Sequence, residues 1–117
     1  MKDDVVSLKG VPFKTLVAET PTEQQIGLQG RAWPPPVMTF PLRSFAYTKF
    51  WMNNTPAPLD IIFCRAGRVI GIFKGEPMST KLVGPDEVSD LVVELPHGTA
   101  ARIGLSVGDY VGFNPTK

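Results

Sequence analysis

The densest capacity for chemistry stands in one stretch, Phe50-Trp51-Met52-Asn53-Asn54-Thr55-Pro56-Ala57-Pro58-Leu59-Asp60. Its prolines stiffen the backbone, so Asn54 and Thr55 can hold donors and acceptors in fixed directions beside the flat apolar face of Trp51. Asp60 adds a carboxylate at the mouth of an apolar run. Ligand pockets are commonly built like this, mostly apolar with a few placed polar groups. The same residues fit a plainer arrangement, with Asn54 and Thr55 bonding their own backbone, Trp51 in the core and Asp60 capping the turn.

Arg31 and Glu94 are the other candidates. Arg31 follows Gly30 directly and could clamp an anionic ligand with its fork of donors, or pair with Asp60 or Glu94 to fix the fold. In Val92-Val93-Glu94-Leu95, strand alternation groups Glu94 with Val92, opposite Val93 and Leu95. A glutamate there lies on a solvated face or in a lumen with a partner. Asp60 and Glu94 could in principle act as acid and base, but nothing in the sequence sets their separation.

The remaining reactive types are sparse. Cys64 is the only cysteine, so no internal disulfide forms. Set between Phe63 and Arg65, it reads as a buried structural thiol. The sole histidine, His97, lies between Pro96 and Gly98 and is expected on a solvated loop. No Cys/His spacing suggests zinc and no glycine pattern cradles phosphate. No metal or cofactor is expected, and no catalytic residue is assigned.

Short elements must position these residues. Eleven glycines and 12 prolines in 117 residues leave little room for long helices. Val11–Glu19 reads as a strand. Thr20-Pro21-Thr22-Glu23 is a capping box with proline at the first helical position, predicting a helix over about 21–29 that Gly30 ends. Strands are predicted at Val37–Phe40, Phe45–Trp51, Leu59–Cys64, Val69–Phe73, Leu91–Leu95 and Tyr110–Phe113. Ala66-Gly67-Arg68 joins the central two as a hairpin. Thr99–Ile103 suits a single helical turn ended by Gly104. The fold class is mainly β (α+β): a small closed or curled antiparallel β-barrel-like domain, the helix packed across one opening. One domain over 1–117 is expected, with residues 1–10 as a flexible N-terminal extension.

Charge and hydropathy exclude whole classes. Twelve basic and 11 acidic residues give a net charge of +1 without any basic run. Nucleic-acid binding, which rests on neutralising phosphates, is therefore not expected. The longest apolar runs are far too short to span a bilayer, and Met1-Lys2-Asp3-Asp4 does not open a signal peptide. No membrane association is expected, and the chain as given reads as cytoplasmic.

Thr20-Pro21-x-Glu23-x-x-x-Gly27-Leu28-x-Gly30-Arg31 is the first of several segments that recur together. Phe50-Trp51-Met52-x-Asn54-Thr55-x-x-Pro58-Leu59-Asp60-Ile61-x-Phe63, Gly67-Arg68-Val69 and Pro77-x-Ser79-Thr80 follow. Glu94-Leu95-x-x-Gly98-Thr99-Ala100-x-x-x-Gly104-Leu105-x-Val107-Gly108-Asp109 completes the set. In this order they resemble the DUF192 (UPF0127) family. The resemblance implies a compact, β-rich, barrel-like fold and a recurring polar set of Glu23, Arg31, Asn54, Thr55, Asp60, Ser79 and Glu94. It carries no activity with it. Many relatives look exported or lipid-anchored, whereas this chain as given is expected to lack a leader. It also departs between Trp33 and Thr48, where Pro34-Pro35-Pro36-Val37-Met38-Thr39-Phe40 replaces an acidic-glycine loop and a "GMLF"-like strand, so its ligand can differ.

Three functions remain open. The first is a binding module with a polar-aromatic pocket near Trp51–Asp60, formed by Arg31, Trp51, Asn54, Thr55, Asp60 and Glu94, for a small polar ligand or a protein partner. The second is a structural or accessory protein whose polar cluster only stabilises the fold. The third, ranked last, is a carboxylate-based acid/base enzyme.

Overall fold

The capping box forms as its residues dictate. Thr20 Oγ1 accepts from the Glu23 N–H at 3.1 Å, and Glu23 Oε1 accepts from the Thr20 N–H at 3.1 Å. The computed structural model describes residues 1–114, and for residues 44–46 the backbone alone. Its strands are β1 (Lys2–Leu8), β2 (Val11–Val17), β3 (Val37–Ala46), β4 (Leu59–Arg65), β5 (Arg68–Gly75), β6 (Ser89–Pro96) and β7 (Val111–Gly112). Its helices are α1 (Pro21–Ile26) and α2 (Thr99–Ile103). The start of the predicted strand at Tyr110–Phe113 is an isolated bridge, Arg68 to Tyr110.

All seven strands join one sheet in the order β5-β4-β6-β3-β2-β1-β7. Every named pair is antiparallel except β2 with β3, which is parallel. A parallel pair needs a crossover of a dozen or more residues, and residues 18–36, with α1, supply it. The two ends of the sheet nearly meet. Backbone bonds from Val69 N to Asp109 O (3.0 Å), Gly108 N to Val69 O (2.8 Å) and Val111 N to Gly67 O (2.9 Å) draw β5 to the segment of β7. The sheet is thus a nearly closed barrel, the mainly β class that the sequence predicts.

Closure defines two apolar layers. Val6, Leu8, Ile62, Cys64, Val69, Val93, Leu95 and Val111 come from both ends of the sheet and from its middle, so they fill the barrel. Ala100 of α2 and Leu105 join them. The opposite face of β3, β4 and β6 carries Met38, Phe40, Leu59, Ile61, Phe63 and Val92, covered by Ala18, Leu28 and Met52. Strand β4 is buried on both faces, which explains its continuous apolar run.

Four local expectations change. Residues 2–8, expected as an extension, form β1, whose Val6 and Leu8 are fully buried. The helix expected to 29 stops at Ile26, where Gly27 takes φ 49°, and turns continue to Gly30. It lies over the outer face as part of the crossover, and α2 rather than α1 packs on the barrel interior. Phe45–Trp51 is not a separate strand: β3 runs on to Ala46 past an irregularity after Pro41, and Phe50 makes a lone bridge with Val83. The predicted hairpin forms, with Ala66 and Gly67 both left-handed (φ 51° and 77°) as a two-residue turn requires.

Candidate ligand-binding site

Register separates the two buried carboxylates. Asp60 pairs with Leu95 and Ile61 pairs with Glu94, so Asp60 points to the barrel side and Glu94 to the outer layer. They do not share a site, and an acid/base pair built from these two is ruled out by the pleat.

Asp60 is fully engaged. Its Oδ2 accepts from the Gly98 N–H at 3.1 Å and the Ala100 N–H at 2.9 Å, and its Oδ1 lies 2.9 Å from His97 Nδ1. The first turn of α2 has no side-chain cap of its own, so a carboxylate from β4 supplies one. His97, expected on a solvated loop, is held at its Nδ1 edge while its side chain stays 43 % exposed.

Glu94 is the opposite case. It is 4 % exposed and has no hydrogen-bond or ion-pair partner among the described residues. Neighbouring strands set the apolar Met38 and Ile61 against it. Burial pushes its carboxyl up to about 8, so it is protonated at neutral pH. It lines a cavity of about 340 Å³, at the small end of ligand pockets.

Most of the cavity wall comes from three segments, with Leu82 and Glu94 added from two others. The α1 region contributes Gln24 and Leu28, β3 contributes Phe40 and Leu42, and the 48–55 loop contributes Phe50, Trp51, Asn53 and Thr55. Phe40 and Phe50 meet edge to face at 5.0 Å, and Phe50 continues the contact to Phe63 at 5.7 Å. The loop is tied down at both ends. Phe50 exchanges backbone bonds with Val83, and the Gly30 N–H donates to Asn54 O at 2.8 Å. Asn54 takes φ 53°, a left-handed conformation that asparagine tolerates.

Three of the six expected residues, Trp51, Thr55 and Glu94, therefore line one cavity. Asn54 shapes its rim through the backbone without lining it. Arg31 is exposed beside a second hollow of about 180 Å³, with Trp33 and Pro56–Pro58, and makes no ion pair among the described residues. Sequence reasoning missed Gln24, Phe40 and Phe50 as walls. Gln24 sits inside a helix whose placement depends on the parallel crossover, and no local signal reveals that. Glu23 and Ser79 serve the backbone, as the α1 cap and as acceptors for the Met52 and Lys81 N–H groups.

Comparison with known proteins agrees with this architecture. A protein of unknown function from Novosphingobium aromaticivorans is 31% identical, with a TM-score of 0.84, covering 95% of this chain and 85% of its own. A protein from Sinorhizobium meliloti, provisionally described as a transcription regulator, is 28% identical with a TM-score of 0.88, covering 95% and 93%. No curated protein matches the chain. The DUF192 family, described as an uncharacterised ACR family, matches residues 5–113. With the barrel, the FWMxNTxxPLD segment and that match all on one chain, the protein belongs to the DUF192 family.

Proposed function

We propose that this chain is a small-ligand-binding module whose site is the cavity over Glu94. One observation carries the reading: a carboxyl group buried among apolar side chains, without a partner among the described residues, opens into the cavity. An unpaired buried polar group costs free energy unless something else completes it, and a ligand's polar group would do so. Trp51, Thr55 and Glu94 contact the ligand in this reading. Asn54 and the Gly30 tether hold the loop, and Asp60 anchors α2.

The structural alternative suits Asp60, whose two oxygens are both engaged, but leaves Glu94 without a purpose. An acid/base pair that included Glu94 would need a second titratable group. Lys49 is the only other ionisable residue among the described lining, and Asp86 holds its Nζ at 3.2 Å.

The test is a screen of chemically varied small molecules against ¹⁵N-labelled protein. Binders should shift amides of residues 24–29, 48–55 and 92–95 together and change the fluorescence of half-exposed Trp51. Binders that shift only residues around Arg31 and Trp33, or no binder at all, would sink the reading.

A further inference from the structure

The cavity's polar groups are unevenly spent. Both amide hydrogens of Gln24 are committed, to Ala18 O at 2.9 Å and Pro41 O at 2.8 Å, while its carbonyl oxygen has no partner among the described residues. The Thr55 hydroxyl donates to Asn53 O at 3.1 Å. Lys49 Nζ donates to Gly84 O at 2.7 Å and pairs with Asp86. The Gln24 amide hydrogens and the Thr55 hydroxyl hydrogen are thus spent, while acceptors on Glu94 and Gln24 remain.

We propose that the cavity takes a small ammonium ion, an amine with a compact apolar or aromatic body, held by the Glu94 carboxylate and the Gln24 carbonyl. This rests on the binding reading above and names the class of ligand. An anion finds no uncommitted cation there. A neutral acceptor would use one Glu94 O–H and leave the second carboxyl oxygen and Gln24 unpaired. Two or three N–H groups satisfy both, and the charge supplies the counter-ion that Glu94 lacks. Phe40, Phe50 and Trp51 add aromatic surface, which attracts cations.

The titratable surroundings are simple. Met38 of β3 and Ile61 of β4 flank Glu94, α1 presents glutamines, and Lys49 alone carries charge on the described lining. Binding an ammonium ion below about pH 8 must therefore release the Glu94 proton.

The experiment compares three probes with one body, 2-phenylethylamine, 2-phenylethanol and phenylacetate, by calorimetry and ¹⁵N spectra at pH 7. The amine should bind at least about tenfold more tightly than the alcohol, roughly 1.4 kcal/mol. It should release a proton, seen as a buffer-dependent heat, and lose its advantage in Glu94→Gln. Equal binding of amine and alcohol to the wild type overturns the ammonium class and leaves the binding reading intact. A preference that survives in a folded Glu94→Gln also overturns it. If no probe shifts residues 24–29 or 48–55 at millimolar concentration, both fall. The wild-type comparison stands even if the variant folds poorly.

Discussion

Asp60 and His97 stand 37 positions apart in sequence, yet Asp60 Oδ1 and His97 Nδ1 are 2.9 Å apart. The same carboxylate also accepts two backbone N–H groups at the start of α2. One side chain thus joins β4 to the segment that follows β6. Its three partners lie on the barrel side, away from Glu94.

Removing that joint should be costly. Asp60→Ala leaves the Gly98 and Ala100 N–H groups without their acceptor, one of them buried, and should lower stability by about 2–4 kcal/mol. Asp60→Asn keeps one acceptor oxygen and should cost less, about 1–2 kcal/mol. Urea unfolding measures both. A loss below about 0.5 kcal/mol for the alanine variant would contradict the capping role.

Glu94 should make stability depend on pH in a defined direction. Its folded value, raised to about 8 from 4.5, means that the folded protein holds a proton which the unfolded chain has released. The stabilisation is fully present below about pH 4.5 and is lost as pH rises through about 8. Glu94→Gln, neutral throughout, should flatten this dependence and be the more stable protein above pH 8. Unfolding free energies measured across that window check the sign.

Cys64 should be inert in the folded protein. It is fully buried, and burial, with a smaller contribution from the charge of Asp90, pushes its thiol up to about 12. A thiol reagent should therefore label it only when the barrel opens. Labelling rates should rise with urea in parallel with global unfolding. Fast labelling of the native protein would mean a local opening of β4.

Ser89 should be replaceable at a gain. Its Oγ is buried without a hydrogen-bond partner among the described residues, at the start of β6. Ser89→Ala removes an unsatisfied polar atom and should leave stability unchanged or raise it by up to about 1 kcal/mol. A clear loss in thermal unfolding would show that the hydroxyl has an unseen partner.

The alternation of Val92-Val93-Glu94-Leu95 already divides the two faces of β6, and the box Thr20-Pro21-Thr22-Glu23 already starts a helix. Ala66-Gly67 already turns a hairpin. These are short-range patterns, decided by backbone geometry within a few residues, and the sequence by itself determined them. It also determined the mainly β class, because so many breakers leave room only for short strands. Tertiary structure alone decided the rest. The parallel β2–β3 pair carries α1 over the outer face, and only that brings Gln24 and Leu28 opposite Phe50. Register between β4 and β6 sends Asp60 and Glu94 to opposite sides, a relation that no spacing along one strand contains. Glu94 lacks a partner among the described residues because of what its neighbours from other segments are, and burial is a property of the assembled layers rather than of any segment.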